Sequence, residues 1–182
     1  IGLADAGPRD ADRSARRCIG RRGSSVFPSP VRSAVACDTY AAASAQSFAV
    51  SGKRISKQTF NIMPKIREVD DALHRDHALR PRVVEVHPEV SFTCLNGGVP
   101  MRHPKRTDAG RDERLALLPA SAQRAYGLAM ETHRRGDVAS DDIIDALVAA
   151  CSARRAHEGT AQHFPDGPAI TDRTGLVMRI VA

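Results

Sequence analysis

The amino-acid sequence predicts an α/β fold, for three reasons. A short run rich in β-branched residues, 82–87, lies between two prolines, which is typical of a buried strand. The apolar run 175–181 near the end of the chain has the composition of a second strand. Several further segments have the residue spacing and end signals of helices. A chain with both kinds of element is expected to pack helices against a sheet.

Two helices are predicted in the N-terminal part of the chain. Residues 10–19 are rich in Arg and Ala and precede Gly20, a residue typical of helix C-termini. The Pro- and Ser-rich stretch 23–30 predicts a loop. The Ala-rich stretch 32–45 predicts the second helix, and the polar, basic stretch 50–57 predicts a second loop.

Two more helices are predicted in the middle of the chain by their prolines. Pro64 is suited to the first position of a helix that ends near Arg75, because proline lacks the amide hydrogen that this position leaves unused. Pro88 opens another helix directly after the predicted strand, and Gly97 and Gly98 end it.

The C-terminal part predicts two helical pieces and then a long helix. Pro119 separates the pieces 112–118 and 120–135, since proline breaks a helix interior. Ser140 predicts the N-cap of the helix 141–157. One internal strand and one terminal strand do not complete a layered sheet, so we expect a single domain over residues 1–182 whose first strands are missing.

Composition limits the class of protein. No apolar run approaches the roughly 20 residues that span a bilayer, so no membrane segment is predicted. The four cysteines lie far apart without a Cys-x-x-Cys pair, which disfavours a zinc site and favours a reducing, cytoplasmic compartment. Aromatic residues make up 4% of the chain and Trp is absent. An RNA binder that stacks bases on aromatic platforms would therefore be short of suitable side chains.

Positive charge is concentrated near the N-terminus. The formal net charge is +6, and residues 1–60 hold ten Lys or Arg against four Asp or Glu, whereas the remainder holds seventeen of each. Such a segment can neutralise the phosphates of nucleic acid. The alternative is a solvated, Arg-rich helix face. The candidate phosphate contacts in the densest part are Arg9, Arg13, Arg16, Arg17, Arg21 and Arg22.

Glu85 is the first candidate for chemistry. It lies in the predicted strand, where a buried carboxylate is costly unless it is paired or bound to a metal. The alternatives are a strand end near solvent and an ion pair with an Arg. Glu89, in the first turn of the next helix, is accounted for by the helix dipole.

A second acidic group lies on the predicted C-terminal helix, where Asp141, Asp142 and Asp145 share one face. Small residues flank it, including Ala146 and Ala149, and allow another element to approach closely. Oxygen ligands clustered in this way suit a divalent cation. The alternative is two carboxylates favoured by the helix dipole and a solvated Asp145.

A series of short segments follows one order along essentially the whole chain. It includes Ser-Ser-Val-Phe-Pro at 24–28, Ser-Lys-Gln at 56–58, Pro-Lys-Ile-Arg-Glu-Val-Asp at 64–70, Glu-Val-His-Pro-Glu-Val-Ser-Phe at 85–92 and Asp-Asp-Ile-Ile-Asp-Ala at 141–146. This series resembles the domain-of-unknown-function family numbered 429. The resemblance implies an RNase H-like three-layer fold and a predicted nuclease that hydrolyses phosphodiester bonds. Members begin with acid-bearing strands, so the chain is expected to be a fragment lacking the first β-strands, and inactive as such.

The resemblance also implies a metal site and a phosphate-binding surface. The C-terminal helix is similar to that of Holliday junction resolvases, where acids three residues apart complete a metal site. The catalytic acids would be Glu85, Asp142 and Asp145, and the ligands of Mg²⁺ or Mn²⁺ would be Glu85, Glu89, Asp141, Asp142 and Asp145. Nucleic-acid phosphates would contact Arg16, Arg17, Arg21, Arg22, Lys57, Lys65 and Lys105. Two alternatives stay open: a non-catalytic nucleic-acid-binding module, and an enzyme acting on a small phosphorylated or nucleotide substrate.

Overall fold

The structure is a computed structural model that describes residues 1–134 and 136–182. It is mixed α/β and mostly helical, which confirms the predicted class. In chain order the regular elements are α1 (Asp10–Cys18), a 3₁₀ helix (Gly20–Ser25), α2 (Arg32–Val35), α3 (Tyr40–Ser51), α4 (Lys57–Arg75), a second 3₁₀ helix (His77–Leu79), β1 (Glu85–Val86), α5 (Pro88–Leu95), α6 (Asp108–Leu117), α7 (Ala120–Thr132), α8 (Ser140–His157), β2 (His163–Phe164) and β3 (Ile180–Val181).

The described strands form one small sheet in which β3 lies between β1 and β2. Both predicted strands are shorter than expected. The amides of Arg82 and Val83 donate to the carbonyl of Leu79 at 2.9 and 3.0 Å, so a turn uses hydrogen bonds that a longer β1 would need. Near the chain end, Thr171 and Val177 form an isolated antiparallel bridge before β3.

The predicted helix 32–45 is wrong, because two helices occupy this region. The Thr39 hydroxyl accepts a hydrogen bond from the Ala42 amide at 3.2 Å, and this cap starts α3 afresh. At the other end of α3, Gly52 adopts a φ of 68°, a left-handed conformation that ends the helix.

The predicted start of α4 at Pro64 is also wrong. The Ser56 hydroxyl accepts from the Thr59 amide at 3.0 Å and caps the helix, which therefore begins at Lys57 and carries Pro64 inside it. A proline there leaves one backbone carbonyl without its usual helical donor. The cap outweighs the proline signal as a mark of where this helix begins.

Capping also shifts the C-terminal helices. Thr107 caps α6 through the Gly110 amide at 3.1 Å, so α6 begins before the predicted residue 112. The Ser140 hydroxyl bonds to the Tyr126 hydroxyl at 2.8 Å instead of capping, and the N-cap of α8 is Ala139. The predicted separation of α6 from α7 at Pro119 is confirmed, whereas the predicted helix end at Arg135 lies outside the described residues.

The chain divides into two compact units. The first unit consists of Ile1–Arg17, Ser24–Glu85 and His163–Ile180, and the second unit of Cys18–Gly23, Val86–Gln162 and Val181–Ala182. In the first unit, Ala43 of α3, Ile55 of the following loop and Met63 of α4 form a buried cluster. In the second unit, a larger cluster contains Phe92, Met101, Leu118, Ala122, Ile144 and Val148. The single domain expected for residues 1–182 stays a prediction.

Among the described residues, the helices do not include one with both the length and the apolar character needed to cross a bilayer.

Candidate functional site

A cleft of about 390 Å³ in the first unit is lined by basic side chains. We call it the basic cleft and define it by Arg13 and Arg16 of α1 and by Lys53 and Arg54 of the loop after α3. The left-handed Gly52 turns the chain out of α3 directly before Lys53, which starts this loop. The resulting cleft gathers cations from two separate elements of the first unit.

The charge of the basic cleft is open to a ligand. Arg16 and Lys53 are exposed, and within residues 1–134 and 136–182 no ion pair or hydrogen bond engages the guanidinium of Arg16 or the ammonium group of Lys53. Arg13 bonds to Asp10 at 3.1 Å on the surface, and the Arg54 guanidinium lies 5.0 Å from the centre of the Phe48 ring. These contacts leave both cations at the surface, where they can reach an anion.

Hydroxyl groups form the rest of the polar lining. Ser47 donates to the carbonyl of Lys53 at 2.7 Å, and Ser51 donates to the carbonyl of Ser47 at 2.7 Å, which fixes the loop that carries Lys53. The Ser56 cap places the N-terminus of the 19-residue α4 beside the cleft. The positive end of a helix dipole favours an anion there.

One carboxylate, that of Asp12, lines the basic cleft, and its charge is already compensated. Arg9 donates to Asp12 at 2.7 Å, and the Ser29 amide donates to its other oxygen at 2.9 Å. The cleft is therefore positive overall. Arg16 is one of the phosphate contacts predicted from the sequence. Nothing in the sequence showed that Lys53 and Arg54 would line the same cleft.

The other predicted phosphate contacts have different surroundings. Arg17 bonds to Ser14 at 2.9 Å, and Lys65 pairs with Glu68 at 3.0 Å, both at the surface of the first unit. Lys57 is exposed in the first unit and Arg21 in the second. In the second unit, Arg22 donates to the backbone carbonyls of Met101 and Arg102 at 2.7 and 2.9 Å, and Lys105 pairs with aspartates.

Glu85 lies in the first unit and is held by Arg9. The guanidinium donates to both carboxylate oxygens, at 2.6 and 2.7 Å, and the N-terminal ammonium of Ile1 also pairs with the carboxylate. Burial raises the pKa of Glu85, but the hydrogen bonds and charge of Arg9 and the ammonium outweigh it and lower the pKa to about 2. Glu85 is therefore an anion with both oxygens occupied.

Glu89 lies in the second unit, buried on α5. Arg114 of α6 donates to its Oε1 from Nε at 3.1 Å and from Nη2 at 2.6 Å. The other oxygen, Oε2, is buried and has no hydrogen-bond partner among the described residues. The helix dipole explains the position of Glu89 in sequence, but Arg114 provides the charge that makes its burial tolerable.

Lys105 draws together two aspartates of α8. Its Nζ lies 2.9 Å from Asp145 and 3.1 Å from Asp141. Burial raises the pKa of Asp145; Lys105 acts against this, while the charges of Glu89 and Asp141 raise it further. Asp142 is exposed, and no ion pair involves it within the described part of the chain. The structure thus groups Asp141 and Asp145 with Glu89 electrostatically, and leaves Asp142 apart.

The donor chemistry of these carboxylates does not fit a metal centre. No set of three or more His, Cys, Asp or Glu side chains among residues 1–134 and 136–182 is placed to hold a metal ion. The predicted ligands other than Asp142 are already held by Arg9, Arg114 or Lys105, whose donors engage oxygens that a cation would need. Binding of Mg²⁺ or Mn²⁺ stays a prediction.

The chain matches a protein-family model. The model described as "Protein of unknown function (DUF429)" matches residues 1–170. This match agrees with the resemblance carried by the short segments along the chain. No curated protein and no solved structure matches the chain.

Proposed function

Since the chain belongs to the DUF429 family of unknown function, we propose that it binds nucleic acid through its phosphates, at the basic cleft of the first unit. The observation that carries this proposal is the pair Arg16 and Lys53. Both are exposed cations that line one cleft without a protein partner among the described residues. Cations held together without a counter-charge repel each other, and an anionic ligand relieves that repulsion.

The distribution of charge supports a polynucleotide rather than a single phosphate group. Beyond the cleft, α1 presents the exposed Arg17 next to Arg16 in sequence. A strand with a phosphate at every nucleotide can engage several such cations at once, whereas an isolated phosphate engages fewer. Backbone contacts of this kind position a strand without selecting its sequence.

Replacing Arg16 and Lys53 by glutamine is expected to weaken binding of a 20-nucleotide oligonucleotide by roughly tenfold or more, because the variant cannot form two charge-assisted hydrogen bonds to phosphate. The salt dependence should weaken as well. For single strands, the slope of log K against log salt concentration should fall in magnitude by about 0.7 for each phosphate that is no longer neutralised. Fluorescence anisotropy of a labelled oligonucleotide measures the affinity. Repeating it at salt concentrations from about 50 to about 200 mM, where phosphate binding is sensitive to salt, gives the slope.

The matched control replaces Arg75 and Arg124 by glutamine, which removes the same charge from exposed arginines that do not line the cleft. This control variant should retain most of the affinity for the oligonucleotide and most of the slope of log K against log salt concentration. Equal weakening in both double variants would show that net charge alone drives binding and would refute the cleft. A mononucleotide that competes as well as the oligonucleotide would assign the cleft to a small phosphorylated ligand.

The RNase H-like architecture and a cytoplasmic location belong to the same proposal. Family membership and the α/β class support the first, and the four free cysteine thiols support the second. An experimental structure with the strand order of RNase H would establish the architecture. Metal-dependent hydrolysis stays a prediction apart from this proposal, because the described carboxylates do not fit a metal centre.

A further inference from the structure

A second cavity of the first unit shares a wall with the basic cleft. It has a volume of about 340 Å³, and Phe27, Pro28 and Ser29 line both cavities. We call it the apolar pocket. Apart from the shared wall, its apolar lining consists of Ile1, Leu3, Pro30, Ile62, Ile66 and Val69. Arg9 and Glu85 also line it and are paired with each other at 2.6 Å. A largely apolar cavity therefore lies directly beside a cationic one within a single unit.

The side chains at the mouth of the apolar pocket are unusually exposed for their type. Phe27 is 48% exposed, Ile62 50% and Val69 41%. Contiguous exposed apolar surface in a folded protein commonly marks a binding site. Phe27 follows the buried Val26 and precedes Pro28, whose fixed φ restricts the local backbone. The ring is thus presented by a constrained segment.

We propose that the apolar pocket receives an unpaired nucleobase stacked on Phe27 while phosphates of the same strand occupy the basic cleft. This inference rests on the proposed function and deepens it, because it specifies a single-stranded ligand. The shared wall places the aromatic face and the cations within reach of one short stretch of strand. Within the described residues, no other ring or cation stacks on Phe27.

The apolar pocket and the basic cleft together favour a single-stranded nucleic acid as the ligand. A single strand offers both an aromatic base face and a phosphate, which match the apolar pocket and the basic cleft respectively. A duplex hides its base faces in the stack and presents only base edges in its grooves. Lys65, exposed at the rim of the apolar pocket, provides a further cation for the strand that leaves it. One aromatic residue suffices for one base, so the low aromatic content of the chain is compatible with this site.

The substitution Phe27→Trp provides a direct test, because the chain contains no tryptophan and the new indole is the sole one. Adding a single-stranded oligonucleotide should quench its fluorescence, since stacking on a base brings the two ring systems into contact. An abasic oligomer with the same number of phosphates should not quench it, and a duplex of the same length should not either. The control Leu128→Trp places the indole on α7, where the native side chain is 65% exposed, and should not respond.

A second variant tests the energetics. Phe27→Ala should lose roughly tenfold or more in affinity for the base-bearing strand, and nothing for the abasic oligomer. If Phe27→Ala binds both as tightly as the unchanged chain and no quenching occurs, the apolar pocket holds no base. The basic cleft then still stands if Arg16→Gln with Lys53→Gln weakens both oligomers. Absence of binding to every oligomer overturns both proposals.

Discussion

Replacing Arg114 by methionine is expected to lower the free energy of unfolding of the second unit by about 3–5 kcal/mol, the usual effect of leaving a buried charge without its partner. Arg114 is 1% exposed. It holds Glu89 with two hydrogen bonds, donates to the carbonyls of Gly110 and His103, and lies 5.7 Å from the centre of the Phe92 ring. Methionine has a similar length but none of these donors. The Oε2 atom of Glu89, already without a partner among the described residues, gains none.

Urea denaturation followed by circular dichroism measures this decrease, and hydrogen exchange of the amides of α5 and α6 assigns it to the second unit. Arg111→Met on the same helix is the matched control, and it should have a much smaller effect because its ion pairs lie at the surface. Adding Glu89→Leu to Arg114→Met should recover much of the stability. No recovery would show that Arg114 acts through packing rather than charge.

The first unit is expected to lose stability in acid, between about pH 4.5 and pH 2. The pKa of Glu85 is lowered from 4.5 to about 2 in the folded chain. A carboxylate with a lowered pKa stabilises the fold above its unfolded pKa, and this stabilisation is lost as the pH falls through the folded pKa. For Glu85 the contribution at neutral pH is about 3 kcal/mol.

Asp172 acts in the same direction. Burial raises its pKa, but hydrogen bonds from the Leu3 amide, the Thr174 hydroxyl, the Arg32 guanidinium and the Leu176 amide outweigh burial and hold the pKa well below its usual range. Acid must protonate both carboxylates before their partners are released. The first unit should therefore unfold in acid more steeply than Glu85 alone predicts.

The variant Glu85→Gln isolates the first of these contributions. Its deficit in unfolding free energy relative to the unchanged chain should be about 3 kcal/mol at pH 7 and should shrink towards pH 2, where Glu85 is protonated in the unfolded chain and partly protonated in the folded one. Asp10→Asn, which removes an exposed carboxylate 58% open to solvent, should cost less than about 1 kcal/mol at pH 7. A deficit that stays constant from pH 7 to pH 2 would refute an electrostatic role for Glu85.

The helix boundaries that the sequence predicted correctly depend only on residues close together in the chain. The end of α1 before Gly20, the start of α5 at Pro88 and the break at Pro119 each follow from the conformational limits of one residue. The two wrong helix boundaries near Thr39 and Ser56 have the same local origin. Both residues are good N-caps, and their signal outweighs the Ala-rich composition and the proline that suggested otherwise.

The ion-pair partners of charged residues could not be predicted from the sequence, because the sequence does not show which distant residues lie close together in the fold. Glu85 was open to an ion pair with an arginine, but Arg9, which provides it, lies 76 residues earlier. Lys105 was expected to contact phosphate, whereas it pairs with Asp145, 40 residues later. The basic excess of residues 1–60 contains Arg16, Lys53 and Arg54, and folding brings these three residues into one cleft.

The bonds made by Asp172 bear on how the protein is synthesised. Its carboxylate accepts from the Leu3 amide and from Arg32, which precede it by 169 and 140 residues, and the first unit is completed only by the segment His163–Ile180. A ribosome adding about 5–20 residues per second therefore needs roughly 4–17 s after Glu85 before Asp172 is made. Throughout that interval the nascent first unit lacks the acceptor for both donors. During synthesis we therefore expect the N-terminal part of the first unit to stay open to chaperones and proteases until Asp172 has been made.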